Sequence, residues 1–325
     1  MNKLVVSSTP HIRSNESVQR IMLDVIIALT PACVAGIILH NHSVNALITV
    51  IISIAACVLF EGGFQKLTKQ TVTISDLSAV VTGLLLAMNL PETSPFWMPI
   101  VGAFFAIIVA KQVFGGLGQN FINPALAGRA FLLAAYPTKM TGSSAFTAPK
   151  FAAGAVDAAT YATPLTALKE GGTAVTSSDI LNGFLGNVGG TIGETCAVLL
   201  ILGGIYLIVR KVISWRIPVV YIATVFIFML IFGRNSGNIM GVINELFVGG
   251  LMLGAFFMAT DYASSPVTPV GQLIMGFGCG VLTSIIRLWG GYPEGVSYSI
   301  LLMNLCVPLI DRFTEPKIFG EVKKK

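Results

Sequence analysis

The sequence predicts an all-α polytopic membrane protein: about ten transmembrane helices, arranged as two inverted five-helix repeats, with one long extracytoplasmic loop. Three observations carry that prediction. Of 325 residues, 54% are apolar and 11% charged, and the mean hydropathy is +0.81, against about 25% charged in a soluble domain. Ten apolar runs are long enough to span a bilayer or to form half-spans buried among neighbours. Two of the polar turns between them share one pattern.

Residues 1–20, "MNKLVVSSTPHIRSNESVQR", form a polar N-terminal tail. The tail lacks an apolar run followed by a small-residue cleavage site, so it does not read as a secretory signal. The first five-helix repeat covers 21–136, with runs near 21–40, 44–60, 76–90, 96–113 and 122–136. The third and fifth are short, with Pro91, Gly115, Gly116, Gly118, Pro124 and Pro137 at their edges. Short interrupted segments of this kind line a site or a central pathway. Residues 137–189 are the long loop, rich in Ala, Thr, Ser and Gly; a loop of that length is either functional or without fixed structure. The second repeat covers 190–311, with runs near 190–209, 217–233, 243–260, 268–288 and 295–311, and 312–325 is a C-terminal tail.

The repeat itself is legible at 83–99, "GLLLAMNLPETSPFWMP", and 250–269, "GLMLGAFFMATDYASSPVTP". Each copy ends an apolar helix, turns through polar residues to Ser-Pro and a second Pro, and leads through another helix to a Gly-Gly pair, Gly115–Gly116 or Gly290–Gly291. The copies fall in spans three and four and in spans eight and nine. An offset of five spans sets the halves in opposite orientations, the inverted plan of many transporters.

Basic residues set the orientation. With ten spans, fourteen of the twenty lie on the side of the termini, including Arg20, Lys66, Lys69, Arg210, Lys211, Arg216 and Arg312. Both tails are therefore cytoplasmic and the 137–189 loop extracytoplasmic, in a multi-pass protein of the cytoplasmic (inner) membrane. The pI of about 9.0 implies no nucleic-acid partner, because basic juxtamembrane segments face anionic lipid. The five cysteines sit in apolar stretches without CxxC spacing, and the three histidines are confined to the tail and one helix end. These residues read as packing and surface groups rather than metal ligands.

Charged groups near spans are costly unless they face protein, water or headgroups. Asp24, Lys111, Arg287 and Asp311 read as interfacial charges at helix ends. Glu245 is a further charge close to a span. Arg129, Glu194 and Asp261 lie beside breaks in the repeat, where pairing or ion contact is expected. The glycines of "GGLGQNFINPALAGRA", 115–130, lack the strand, the full fingerprint and the acidic partner of a dinucleotide site. A bend at the membrane surface explains them, with Asn120 and Asn123 suited to a cap or a re-entrant turn, and backbone N–H groups freed there could face a bound ring or ion.

One phrase in the loop remains, "DAATYATPL", 157–165. Its threonines alone would be solvent-facing turn residues, and a threonine hydroxyl is a poor nucleophile without an activating base or metal. Attachment of a group to Thr163 therefore needs an external enzyme. The phrase resembles the flavin-attachment motif of Rnf complex D subunits and of the B subunits of sodium-translocating NADH:quinone oxidoreductases. Asp157, Thr160, Ala162 and Thr163 match that motif in order, and Tyr161 stands where glycine is usual. The resemblance extends over nearly the whole chain, through "SSTPHIRSNESVQRIMLDVIIALTPA", "KQVFGGLGQNFINPALAGRA", "FFMATDYASSPVTPVGQLIMGFGCG" and "RLWGGYPEGVSYSILLMNLCVPLIDRFTEPKIFG". The short tail before the first span favours the Rnf D side of the family.

The resemblance implies that a flavin transferase leaves FMN from FAD on Thr163 through a phosphoester, and that this flavin carries electrons on the extracytoplasmic side. Lys150 and Lys169 lie near enough in sequence to offset the phosphate charge, and Tyr161 or Phe151 to stack on the ring or pack the loop. It further implies a noncovalent riboflavin in the membrane part. The other membrane and iron–sulfur subunits of a ferredoxin:NAD+ oxidoreductase coupled to Na+ or H+ movement are the implied partners. This chain is then one component of a complex rather than a catalyst alone, since it has no iron–sulfur spacing and no dinucleotide motif of its own. A quinone-reductase B subunit and a non-redox channel or carrier on the same repeat are the alternatives.

Overall fold

The computed structural model describes residues 16–142, 145–147, 163–169, 177–234, 237–292 and 294–316. Every regular element among them is helical, with no strand. Helix α1, Val18–Leu39, starts at Ser17, whose hydroxyl accepts the Arg20 amide at 3.2 Å, an N-cap that satisfies one otherwise orphaned donor. Its 22 residues reach about 33 Å at the helical rise, matching the hydrocarbon thickness. Among the described residues, helices α1, α2 (Ser43–Leu67), α13 (Pro269–Trp289) and α14 (Val296–Thr314) are the four long and apolar enough to cross a membrane.

A fifth such unit is broken. Helices α11 (Ile239–Phe247) and α12 (Leu251–Met258) meet at a bend of 65°. Gly249 turns the chain there at φ 82°, a backbone conformation natural to glycine. Five shorter apolar helices complete the set: α3 (Ser78–Met88), α4 (Trp97–Gln112), α5 (Pro124–Ala135), α9 (Ala197–Val209) and α10 (Arg216–Phe232). Among the described residues between α5 and α9 there are three small helices: α6 (Pro137–Thr141), α7 (Pro164–Lys169) and α8 (Ser177–Leu185).

Two of the short helices end inside the protein, where their last carbonyls need partners that lipid cannot supply. The carbonyls of Met88 and Leu90, at and just beyond the end of α3, accept the backbone amides of Gly193 at 2.7 Å and Ile192 at 3.1 Å. At the end of α12, the Met258 carbonyl accepts the Asn123 side-chain amide at 3.2 Å. The same Asn123 caps α5, its Oδ1 accepting from the amides of Ala125 and Leu126. Asn89 and Met258 come within 3.8 Å, so the two helix ends meet. The end of α4, Phe105–Gln112, and most of α12, Gly254–Met258, are wound as π-helix, a form concentrated at functional sites.

The structure moves several expected boundaries. The run at 190–209 is helical only from Ala197, and 190–196 is a nonhelical segment laid against α3. The run at 243–260 is the bent α11–α12 pair. Helix α2 continues past residue 60 to Leu67, which draws Glu61 into the interior at 0% exposure.

Three charges expected at interfaces are buried instead. Lys111 donates to Glu61 at 2.8 and 3.0 Å and to Ser78, and Gln112 binds the same carboxylate. Asp24 accepts from Arg210 and Tyr206, tying the start of α1 to the end of α9. Arg287 is buried near the end of α13. In each case a helix end packs against another element, and pairing or carbonyl contacts offset the cost of burial. Cys306 is exposed and the other four cysteines are buried; no group of metal-ligating side chains occurs among the described residues.

Candidate functional site

Thr163 directly precedes α7 and serves as its N-cap. Its Oγ1 accepts the Thr166 amide at 3.3 Å, its carbonyl accepts the Ala167 amide at 2.9 Å, and Pro164 takes the first helical position, where a missing N–H costs nothing. The hydroxyls of Thr163 and Thr166 are hydrogen-bonded at 2.8 Å. Thr163 is 7% exposed, so the solvent-facing turn expected of an isolated threonine is not what forms.

Two anchors hold α7 against the membrane helices. Leu165 is buried over the break between α11 and α12, where a Cβ on Gly249 would lie 2.6 Å from Leu165 Cδ1. The Lys169 amine donates to the Gly290 carbonyl just past α13. Arg234 donates to the carbonyls of Arg287 and Leu288 at that same end, as expected of cations at a helix C-terminus. Partial burial, and then the Arg234 charge, lower the Lys169 pKa below the ordinary lysine range.

Beneath this loop lies a buried polar cluster. Arg129 of α5 donates to Asn89 at 2.7 Å, to Glu194 at 3.5 Å and, more closely, to Glu294. The three charged side chains are 6%, 3% and 15% exposed. Arg287 adds donors to the backbone carbonyls of Glu294 and Glu245.

A cleft opens near the opposite ends of these helices, between α1, α3, the loop before α5, and the segment after α12. It is a narrow cleft, partly open to the surface. Asn120, Asn123, Thr260 and Asp261 give it polar walls, and Leu85, Phe256 and Phe257 apolar ones. Asp261 accepts from Ser264 at 2.8 Å and from Asn120 at 3.4 Å.

With this geometry in place, comparison with known proteins is decisive. A family model described as "NQR2, RnfD, RnfE family" matches residues 5–320. The chain belongs to the NQR2, RnfD, RnfE family. Among curated relatives it is 52% identical to the D subunit of the Na(+)-translocating ferredoxin:NAD(+) oxidoreductase complex of Acetobacterium woodii, over 99% of this chain and 97% of that one. It is 48% identical to the D subunit of the proton-translocating ferredoxin:NAD(+) oxidoreductase complex of Clostridium ljungdahlii, over 98% and 97%. A third relative, the D subunit of the ion-translocating oxidoreductase complex of Actinobacillus succinogenes, is 36% identical over 97% of each chain.

Of the residues expected at the attachment site of this NQR2, RnfD, RnfE family member, the structure describes Thr163 and Lys169. Asp157, Thr160, Tyr161, Ala162, Lys150 and Phe151 lie outside the described residues. Lys169 is engaged by Gly290 and anchors α7. The expected pairing at Arg129 and Glu194 is present, and Asp261 sits beside Asn120. Sequence reasoning missed Glu61, Asn89 and Glu294. Asn89 was legible as the polar end of the first repeat copy, and Glu61 as the one acid in the second apolar run's continuation. Glu294, two residues before α14, carried no signal of its inward turn.

Proposed function

We propose that this chain is the D component of an Rnf-type ion-translocating ferredoxin:NAD+ oxidoreductase of the cytoplasmic membrane, carrying FMN on Thr163 as an electron carrier. The observation that carries this reading is full-length similarity to the D subunits of such complexes combined with an attachment phrase whose terminal threonine caps α7 through hydrogen bonds to Thr166. Bound there, FMN would supply redox chemistry that no side chain of this protein has. The chain's own residues supply placement. Thr163 Oγ1 is fixed by the Thr166 amide and hydroxyl, and Leu165 and Lys169 clamp the following turn to the membrane helices. Esterified, that oxygen can still accept the Thr166 hydrogen bonds, so the cap is compatible with attachment.

A transferase supplies the group, since the described surroundings of Thr163 contain no activating base. Partner subunits carry the ferredoxin and NAD+ sites. The ten-span inverted topology, with both termini cytoplasmic, belongs to the same proposal. Four long helices, one broken pair and five shorter apolar helices supply the ten candidates, and the 137–189 loop is then extracytoplasmic.

For the noncovalent riboflavin, the suitable place is the cleft at Asn120, Asn123 and Asp261. A flavin ring has a hydrogen-bonding edge and two apolar faces. The cleft offers amide and carboxylate groups beside the apolar side chains of Leu85, Phe256 and Phe257.

In the assembled complex, Thr163→Ala should abolish covalent flavin and ferredoxin-dependent NAD+ reduction while assembly persists. An alanine variant that assembles, lacks the flavin and keeps full activity would refute the carrier role. Asn120→Ala combined with Asp261→Asn should remove acid-extractable flavin and leave the covalent one. Unchanged extractable flavin would move the second site elsewhere.

A further inference from the structure

Beside the cleft, across the wall formed by Val212 and Tyr262, lies a second cavity of about 230 Å³. Its own lining comes from Ser214, Ile217, Ser265, Val267 and Gln272, which the cleft does not touch. Hydrogen bonds tie the walls together. The Tyr262 hydroxyl donates to the Val212 carbonyl, and the Gln272 amide to the Pro266 carbonyl at 3.4 Å. Helices α10 and α13 begin here, at Arg216 and Pro269, and pack side by side. The cavity therefore marks the level at which two apolar helices leave the polar connections.

The charge at this level is unbalanced. Arg216 is half-buried and makes no ion pair among the described residues. One guanidinium nitrogen reaches Ser214 Oγ and Gln272 Oε1, both at 3.4 Å, the far edge of hydrogen bonding. A planar fork of five N–H donors is thus hardly used. Lys211, exposed in the same turn, adds a second cation. The acids nearby are engaged elsewhere: Asp261 accepts from Ser264 and Asn120, Asp311 from the Val267 amide, and Asp24 from Arg210, while Glu16 acts on Arg210 and Tyr262. Trp215 is 53% exposed, with the Arg216 guanidinium 5.9 Å from its ring. An exposed tryptophan where an apolar helix begins sits at headgroup level. Next along the two helices, Val219 of α10 and Val270, Leu273 and Ile274 of α13 are exposed.

A polar cavity with an unpaired guanidinium, continuous with an exposed apolar face, matches an amphiphile whose head is an anion. We propose that the cavity is the headgroup site of an anionic phospholipid. Arg216 takes the phosphate oxygens with its free donors, Ser214 and Gln272 complete the polar wall, and the acyl chains lie on the exposed face of α10 and α13. The start of α1 and the end of α14 lie on the same side, so the lipid belongs to the leaflet that faces the termini, where anionic lipid meets basic residues. The proposal is independent of the flavin assignment.

Thermal unfolding of the full chain, delipidated in an uncharged detergent, tests it with three probes: phosphatidylglycerol, phosphatidylcholine and inorganic phosphate. Phosphatidylglycerol at about a hundredfold excess over its dissociation constant should raise the midpoint by about 5 °C. The other two should leave it in place. Arg216→Gln should lose the rise, whereas Arg312→Gln, which removes an exposed cation that does not line the cavity, should keep it. Val267→Glu sets an acid on the cavity wall at a position 82% exposed, so it should fold and also lose the rise; it replaces Arg216→Gln if that variant does not fold. The proposal falls if phosphatidylcholine stabilises equally, if inorganic phosphate alone gives the full rise, if Arg216→Gln or Val267→Glu keeps it, or if Arg312→Gln loses as much as Arg216→Gln.

Discussion

Gly193 donates its backbone amide to the Met88 carbonyl at 2.7 Å, so a segment from the second half of the chain closes the unfinished end of α3. The approach requires glycine. A Cβ at 193 would lie 2.6 Å from Met88 Cβ and 2.8 Å from its carbonyl oxygen. Gly193→Ala should therefore separate the two segments, destabilising the protein by roughly 1–3 kcal/mol, the usual cost of overpacking. Thermal unfolding in detergent measures this. A variant as stable as wild type would mean that the α3 end is not closed in this way.

The Lys111–Glu61 pair, 2% and 1% exposed, gives a second test. Removing one partner strands a buried charge, at about 3–5 kcal/mol, while removing both can be nearly neutral. Lys111→Met and Glu61→Gln should each lower stability sharply, and the double variant should recover much of the loss. Additive losses in the double variant would show that the pair is not coupled.

Topology is open to labelling. Thr141 is exposed at the end of α6 and Gln70 in the connection after α2. In a cysteine-free background in intact cells, Thr141→Cys should react with an impermeant thiol reagent and Gln70→Cys should not. The reverse pattern would invert the orientation and place Thr163 in the cytoplasm.

Much of this was legible in the sequence for physical reasons. Apolar runs must become helices in lipid, so α1, α2, α13 and α14 lie close to where hydropathy put them. Glycine and proline at the edges of the third and fifth runs announced the short α3 and α5, and Asn123 was legible as a cap because asparagine before Pro124 suits that role. What sequence could not give were the contacts that join distant segments. Hydropathy read 190–196 as part of a span. Its nonhelical path follows from donors needed at Met88 and Leu90, a tertiary requirement. Lys111 and Asp24 read as interfacial because their partners, Glu61 and Arg210, lie far away in sequence. Thr163 was legible through its motif, but its burial depends on Leu165 and Lys169 finding Gly249 and Gly290.

The function proposed for this chain rests on a flavin carried by Thr163. Peptide mapping by mass spectrometry, on chain purified after coexpression with a flavin transferase, tests it most directly. One FMN per chain is expected in phosphoester linkage at Thr163, with complete loss in Thr163→Val, which keeps the shape without the hydroxyl, and partial retention in Thr163→Ser. Flavin on Thr160 or Thr166, or a chain that carries none when the transferase modifies its other substrates, would contradict it.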